Sequence, residues 1–175
     1  MKAMSKQAES LNDFGLLIAY VIPGFSLLYG TSYLVPELQV WFSLDALNAM
    51  SGASLVLLAV TAIGAGLVAH TIRWCLLDSL HHWTGLRPQQ WDFSKFAANL
   101  GAYDKLTENH YRYYQFYGGM VVTLAWSLIA RSYALQVTVD ANNLALVVLM
   151  ILMAWGSRDT LSRYYSRLNA VLSQA

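Results

Sequence analysis

Five side chains near the middle of this 175-residue sequence have the types and spacing for acid–base or metal chemistry: Asp78, His81, His82, Glu108 and His110. On a helix running through position 82, Asp78 and His82 share a face at i,i+4 and His81 lies beside them. His110 approaches from the far side of the intervening loop. Imidazoles with a carboxylate are competent zinc ligands and competent proton carriers. No HxxxH or HExxH spacing accompanies them, and neither GxSxG, a Walker loop nor a dinucleotide glycine motif occurs. The single cysteine, Cys75, excludes an internal disulfide, a CxxC pair and a Cys-rich zinc site. These residues therefore read as interfacial histidines and carboxylates, with no metal and no cofactor expected and an enzyme not indicated. His70 and Arg73 lie about one turn deeper. A snorkelling side chain accounts for Arg73 there, and His70 is placed to titrate near neutral pH if it meets water.

The run His110–Tyr117, HYRYYQFY, is the second feature with chemical character. Tyrosine at a bilayer surface keeps its ring among acyl chains and its hydroxyl in water, so an aromatic belt is the plain reading. Yet His110, Tyr114 and Tyr117 share one helical face while Tyr113 and Phe116 point elsewhere. A helix decorated on several faces suits a protein–protein contact. His110, Tyr111, Arg112, Tyr113, Tyr114 and Tyr117, with Trp83 and Trp91, are the expected partner or interface residues.

The elements that must position these groups belong to a bilayer. Hydrophobic residues make up 57% and charged residues 12% of the chain, against about 25% charged in a soluble domain. Four apolar segments stand out, at about 14–35, 53–77, 116–133 and 141–157. The expectation is all-α: one membrane domain over 1–175, built as an integral four-helix bundle. A cytoplasmic interfacial segment, 78–115, joins spans two and three, and an amphipathic tail covers 158–175. The first segment is longer than a signal-peptide core and reads as a retained anchor. Ten of the eleven lysines and arginines, all but Arg131, fall on one side of these spans. The positive-inside rule makes that side cytoplasmic, with both termini there and the loop carrying Glu37 and Asp45 outside. The expected location is the inner or plasma membrane. The net charge of +1 gives no general attraction for nucleic acid.

Smaller features refine the picture. Pro23-Gly24 interrupts the first span and marks a kink or hinge. Ala59, Ala62, Gly66 and Ala69 form a small-residue stripe on span two, and Gly118-Gly119 does the same on span three, so close helix contact is expected at both. In the central segment, Gly85 and Pro88 end the helix from span two. Asp92 is expected to cap a short helix reaching Asn99, and Thr107 to cap the helix that becomes span three. Glu108–Arg112 is an expected i,i+4 ion pair. Trp83, Trp91, Phe93, Lys95 and Phe96 suit a segment at headgroup level. In the tail, Leu161, Tyr164, Leu168 and Val171 share a face, and Asp159–Arg163 is an i,i+4 pair. The mid-span regions contain no Asp, Glu, Lys or Arg, which argues against ion-coupled transport. The functional expectation is a non-enzymatic membrane component. It would self-associate or hold a cytoplasmic protein at the bilayer, with a membrane-perturbing or pore subunit as one form of that role. The alternatives are an enzyme acting on lipid headgroups and a small channel or carrier.

Overall fold

The structure is a computed structural model and describes residues 15, 17–89, 91, 94 and 100–173. Among the described residues every regular element is helical. Helix α1 is Leu17–Ser32, opening with a wide π turn at Leu17–Val21. Two short helices, α2 (Pro36–Trp41) and α3 (Leu44–Ala49), follow on one side of the molecule. Then come three long helices: α4 (Gly52–Trp83), α5 (Leu100–Leu135) and α6 (Ala141–Ser173). These three are long and apolar enough to cross a membrane, whereas α1 is apolar but shorter.

Local sequence explains where the helices start and stop. The Ser51 hydroxyl accepts from the Ser54 backbone N–H at 3.3 Å, capping α4. Past Trp83, Gly85 adopts φ +90, a conformation that favours glycine, and ends it. Asp140 caps α6 by accepting the Asn143 N–H at 2.8 Å. Helix α5 starts well before Thr107: that residue lies inside the helix, at the head of a second π turn, Thr107–Tyr111, and caps nothing. A third π turn, Trp74–Asp78, is set into α4. The expected short helix from Asp92 to Asn99, with Phe93, Lys95 and Phe96, lies outside the described residues.

Helix α5 is the centre of the assembly. It packs along α1, α4 and α6, and α1 packs in turn on α4. The α1–α4 crossing brings backbone to backbone. A Cβ on Gly24 would fall 1.7 Å from the Ala62 carbonyl oxygen, and one on Gly66 would fall 2.1 Å from that of Tyr20. Pro23 lies against Gly119, and Gly30 against Ser127. Ala62 and Ala69 are buried at the same crossing and Ala59 half-buried.

The long helices differ from the expected spans in one consistent way. They run 32, 36 and 33 residues, or roughly 48–54 Å at 1.5 Å per residue. Residues 79–83 and 100–115, expected as part of the segment joining spans two and three, are helical and continuous with α4 and α5. The tail from 158 onward continues α6 without a break. The α5 and α6 parts share a core of Tyr114, Leu161, Tyr164, Leu168 and Leu172, flanked by Trp91, Tyr111 and Tyr165. Leu172 completes the row that Leu161, Tyr164 and Leu168 begin, and Val171 is half-buried beside it.

Candidate functional site

The most unusual chemistry sits where α1, α4 and α5 converge. It starts with a backbone defect. Pro23 has no N–H, so it cannot donate to the Ala19 carbonyl four residues earlier. His70 on α4 reaches that carbonyl through Nε2 at 2.6 Å. On its other side, His70 Nδ1 receives the Arg73 Nε–H at 3.3 Å. A guanidinium can only donate, so Nδ1 is the bare acceptor and Nε2 carries the proton given to Ala19. Both ring nitrogens of a neutral imidazole are thereby used.

Arg73 does not snorkel. It is turned inward, with 4% of its surface exposed. Its Nη1 donates to Asp78 Oδ1 at 2.8 Å. Residues five apart stand well off one another on a regular α-helix; the wide turn at Trp74–Asp78 brings this pair together. The Arg73 guanidinium carbon also lies 4.7 Å from the centre of the Tyr114 ring, in cation–π contact. The Tyr114 hydroxyl donates to the same Asp78 oxygen. Gly118, one turn along α5 from Tyr114, leaves the room that the arginine stem fills: a Cβ there would meet Arg73 Cδ at 2.6 Å. The result is a chain from Ala19 through His70, Arg73 and Asp78 to Tyr114, buried except at the half-buried Asp78, joining three helices.

The remaining sequence candidates divide sharply. His81 is buried one turn beyond Asp78, and its Nε2 meets Ser157 Oγ of α6 at 3.2 Å. The neighbouring Arg158 donates to Thr84 Oγ1 at 2.6 Å and to the Thr84 carbonyl at 3.3 Å, covering the end of α4. His82 is half-buried, and its carbonyl accepts from Arg87 Nε at 3.0 Å. Glu108 and His110 sit on the π turn of α5, and His110 faces the charges of Arg163, Arg167 and Asp159 on α6. The Glu108–Arg112 pair does not appear among the ion pairs of the described residues; Arg112 lies against Gly15 instead. Among the described residues no three His, Cys, Asp or Glu side chains gather closely enough to hold a metal ion.

In the aromatic run Tyr114 is buried, Tyr111, Phe116 and Tyr117 are half-buried and Tyr113 is exposed. Tyr114 is 1% exposed, and Tyr111 packs on both Tyr114 and Tyr164 with ring centres 5.8 and 5.3 Å apart. Tyr117 fills the space above Gly156 on α6. Trp91 is half-buried against Tyr165, and its Nε1 donates to Asn169 Oδ1 at 2.6 Å. Tyr113 and Trp83 remain outside, Trp83 with 81% of its surface exposed.

A second polar cluster closes the opposite end of the bundle. Arg131 donates from Nη1 and Nη2 to the two carboxylate oxygens of Asp140 at 2.9 and 2.5 Å, and from Nη1 to Asn143 Oδ1 at 2.5 Å. Asn143 Nδ2 in turn holds Ser132 and the carbonyls of Val137 and Thr138. The Arg131 guanidinium, with the Asn143 backbone N–H, holds the Asp140 carboxyl below its ordinary range. Sequence reasoning passed over this cluster and the three π turns. Arg131 stood out only as the basic residue on the wrong side of the bundle, and Pro23 was the visible sign that His70 had a carbonyl to serve. Comparison with protein-family models, with curated proteins and with solved structures returned no match, so the functional reading rests on the chain's own residues.

Proposed function

We propose that this chain is a non-enzymatic integral membrane component with four spans and both termini in the cytoplasm. Its helices continue past the inner leaflet as a stalk that holds a cytoplasmic protein or a second copy of the chain. The observation that carries this reading is one of length. A bilayer core of about 30 Å takes roughly 20 helical residues. Counting that many from Gly52 along α4, back from Leu135 along α5, and on from Ala141 along α6 arrives close to Arg73, Tyr114 and Leu161. Arg73 and Tyr114 touch, and Tyr114 and Leu161 share a core. The three counts end at neighbouring residues, which supports an inner membrane edge near them. Arg87, Lys105, Arg112, Arg163 and Arg167 then lie beyond that edge and Arg73 and Arg158 at it, in keeping with the positive-inside rule. The paired Arg131 and Asp140 then lie at the outer surface.

Two observations weigh against the headgroup-enzyme alternative. Asp78, its central carboxylate, is committed to Arg73 and Tyr114. His81 is buried against Ser157. The groups are arranged to fix helices against each other.

Site-specific photocrosslinking in intact cells tests the role. A photoreactive residue at Trp83 or Tyr113, the exposed stalk aromatics, is expected to give discrete protein adducts. An adduct of twice the chain mass identifies self-association, and any other discrete mass a partner. The same probe at Val60, on the apolar outer face of α4, is expected to give lipid adducts. Lipid adducts alone from all three positions would contradict a docking stalk.

A further inference from the structure

Helices α1 and α6 both pack on α5, and in the outer half of the bundle they leave a cavity of about 600 Å³ between them. That volume is ordinary for a small-molecule site. Its walls are graded. Phe25, Leu124, Leu146 and Leu149 line the deep part, with the small side chains of Ser26 and Ser127 between them. Tyr29, Tyr33, Arg131 and Asn142 line the end nearest the α5–α6 turn. Asn142 and Leu149 are seven positions apart on α6, roughly 10 Å along the axis. At the polar end the Tyr29 and Tyr33 hydroxyls are 3.2 Å apart and Phe42 covers Tyr29 edge-on.

We propose that this cavity binds one acyl chain of an outer-leaflet glycerophospholipid, with the ester and phosphate oxygens against the tyrosine hydroxyls and Asn142. The proposal rests on the membrane reading above. The occupant follows from the direction of the polarity: apolar walls toward the bilayer centre and hydrogen-bond donors at the outer surface match a lipid standing in its own leaflet. Water is a poor occupant of the deep part, because the two hydroxyls there are already given to carbonyls of their own helices, Ser26 to Ile22 at 3.0 Å and Ser127 to Thr123 at 2.8 Å, and the remaining walls are apolar. The head end carries no net charge, since Asp140 already neutralises Arg131. Chain burial therefore dominates recognition, and anionic and zwitterionic headgroups bind alike.

Native mass spectrometry of the delipidated full chain, titrated with dioleoyl phosphatidylglycerol and separately with dioleoyl phosphatidylethanolamine, tests this. Both are expected to give one tightly held lipid per chain with similar affinity. Ala145→Trp places an indole in the trough from an exposed position and is expected to weaken retention roughly tenfold or more. Leu149→Trp, at the deep end, is expected to do the same, and Val60→Trp, on the opposite apolar face, to leave retention unchanged. Circular dichroism selects the variants that keep the helical fold. Equal retention by the folded trough variants and the parent overturns the site. A strong preference for phosphatidylglycerol overturns the uncharged-head argument and with it the assignment. Both results are independent of membrane topology, which reporter fusions read separately.

Discussion

At the residue scale, His70 replaces a donor that Pro23 cannot supply. Loss of a buried hydrogen-bond partner costs about 1–3 kcal/mol, so His70→Ala is expected to destabilise by that order. Pro23→Ala returns an N–H four residues after Ala19. In a double-mutant cycle the pair should therefore lose less stability than the sum of the single changes. Strict additivity in reversible detergent unfolding would show that the histidine does not serve that carbonyl. Asp78→Ala is the harsher change, because it leaves Arg73 buried without its carboxylate. Uncompensated buried charge costs roughly 3–5 kcal/mol, and Tyr114→Phe should cost less, about 1–3 kcal/mol, for its one hydrogen bond to Asp78. A lipid-facing belt tyrosine would tolerate that change, so a silent Tyr114→Phe would return it to the surface. The outer pair has a pH signature. Asp140 titrates below its ordinary value in the folded chain, so its contribution is complete above the unfolded carboxyl pKa, near 4. That contribution is lost as pH falls through the lowered folded value. The melting-temperature gap between the parent and Asp140→Asn is expected to be constant from pH 7 to 5 and to close below pH 4. A gap that persists unchanged into strong acid would mean the carboxylate is not what Arg131 stabilises.

At the scale of elements, glycine position separates contact from composition. Gly24 and Gly66 sit where a Cβ would strike a neighbouring backbone, whereas Gly64, two positions from Gly66, has nothing within 4 Å of its ideal Cβ. Gly66→Ala should therefore cost about 1–3 kcal/mol by overpacking. Gly64→Ala should stabilise slightly, by up to ~1 kcal/mol, through helix propensity. Equal effects in thermal unfolding would remove the α1–α4 crossing from the account. The small-residue stripe on α4 and the glycine pair on α5 were legible in the sequence because close approach demands small side chains at helical spacing. The π turns were not, because an extra residue in a turn leaves no compositional mark. For that reason Arg73 and Asp78, five apart, did not read as a pair, and Arg73 was expected to reach for the surface. Thr107 misled in a related way: its preference for caps is real, but α5 had begun at Leu100.

For the whole molecule, composition and hydropathy make the all-helical, bilayer-compatible character plain, and the placement of the basic residues is the basis of the proposed topology. The full length of the helices was hidden. Polar and aromatic residues at 100–115 and 158–173 look like loop and belt when read one at a time. They become a core only when Tyr111 and Tyr114 face Leu161, Tyr164 and Leu168. That plane of contact is also the inner edge of the membrane in the present account, and cysteine accessibility measures it directly. In a Cys75→Ala background, single cysteines at Asp45, Val60, Ile151, Trp83 and Ser162 would be labelled with a membrane-impermeant maleimide, in intact cells and after permeabilisation. Labelling is expected for Asp45→Cys in intact cells, for Trp83→Cys and Ser162→Cys only after permeabilisation, and for neither Val60→Cys nor Ile151→Cys before denaturation. Labelling of Trp83→Cys or Ser162→Cys in intact cells, or ready labelling of Val60→Cys and Ile151→Cys in native membranes, would contradict that membrane edge.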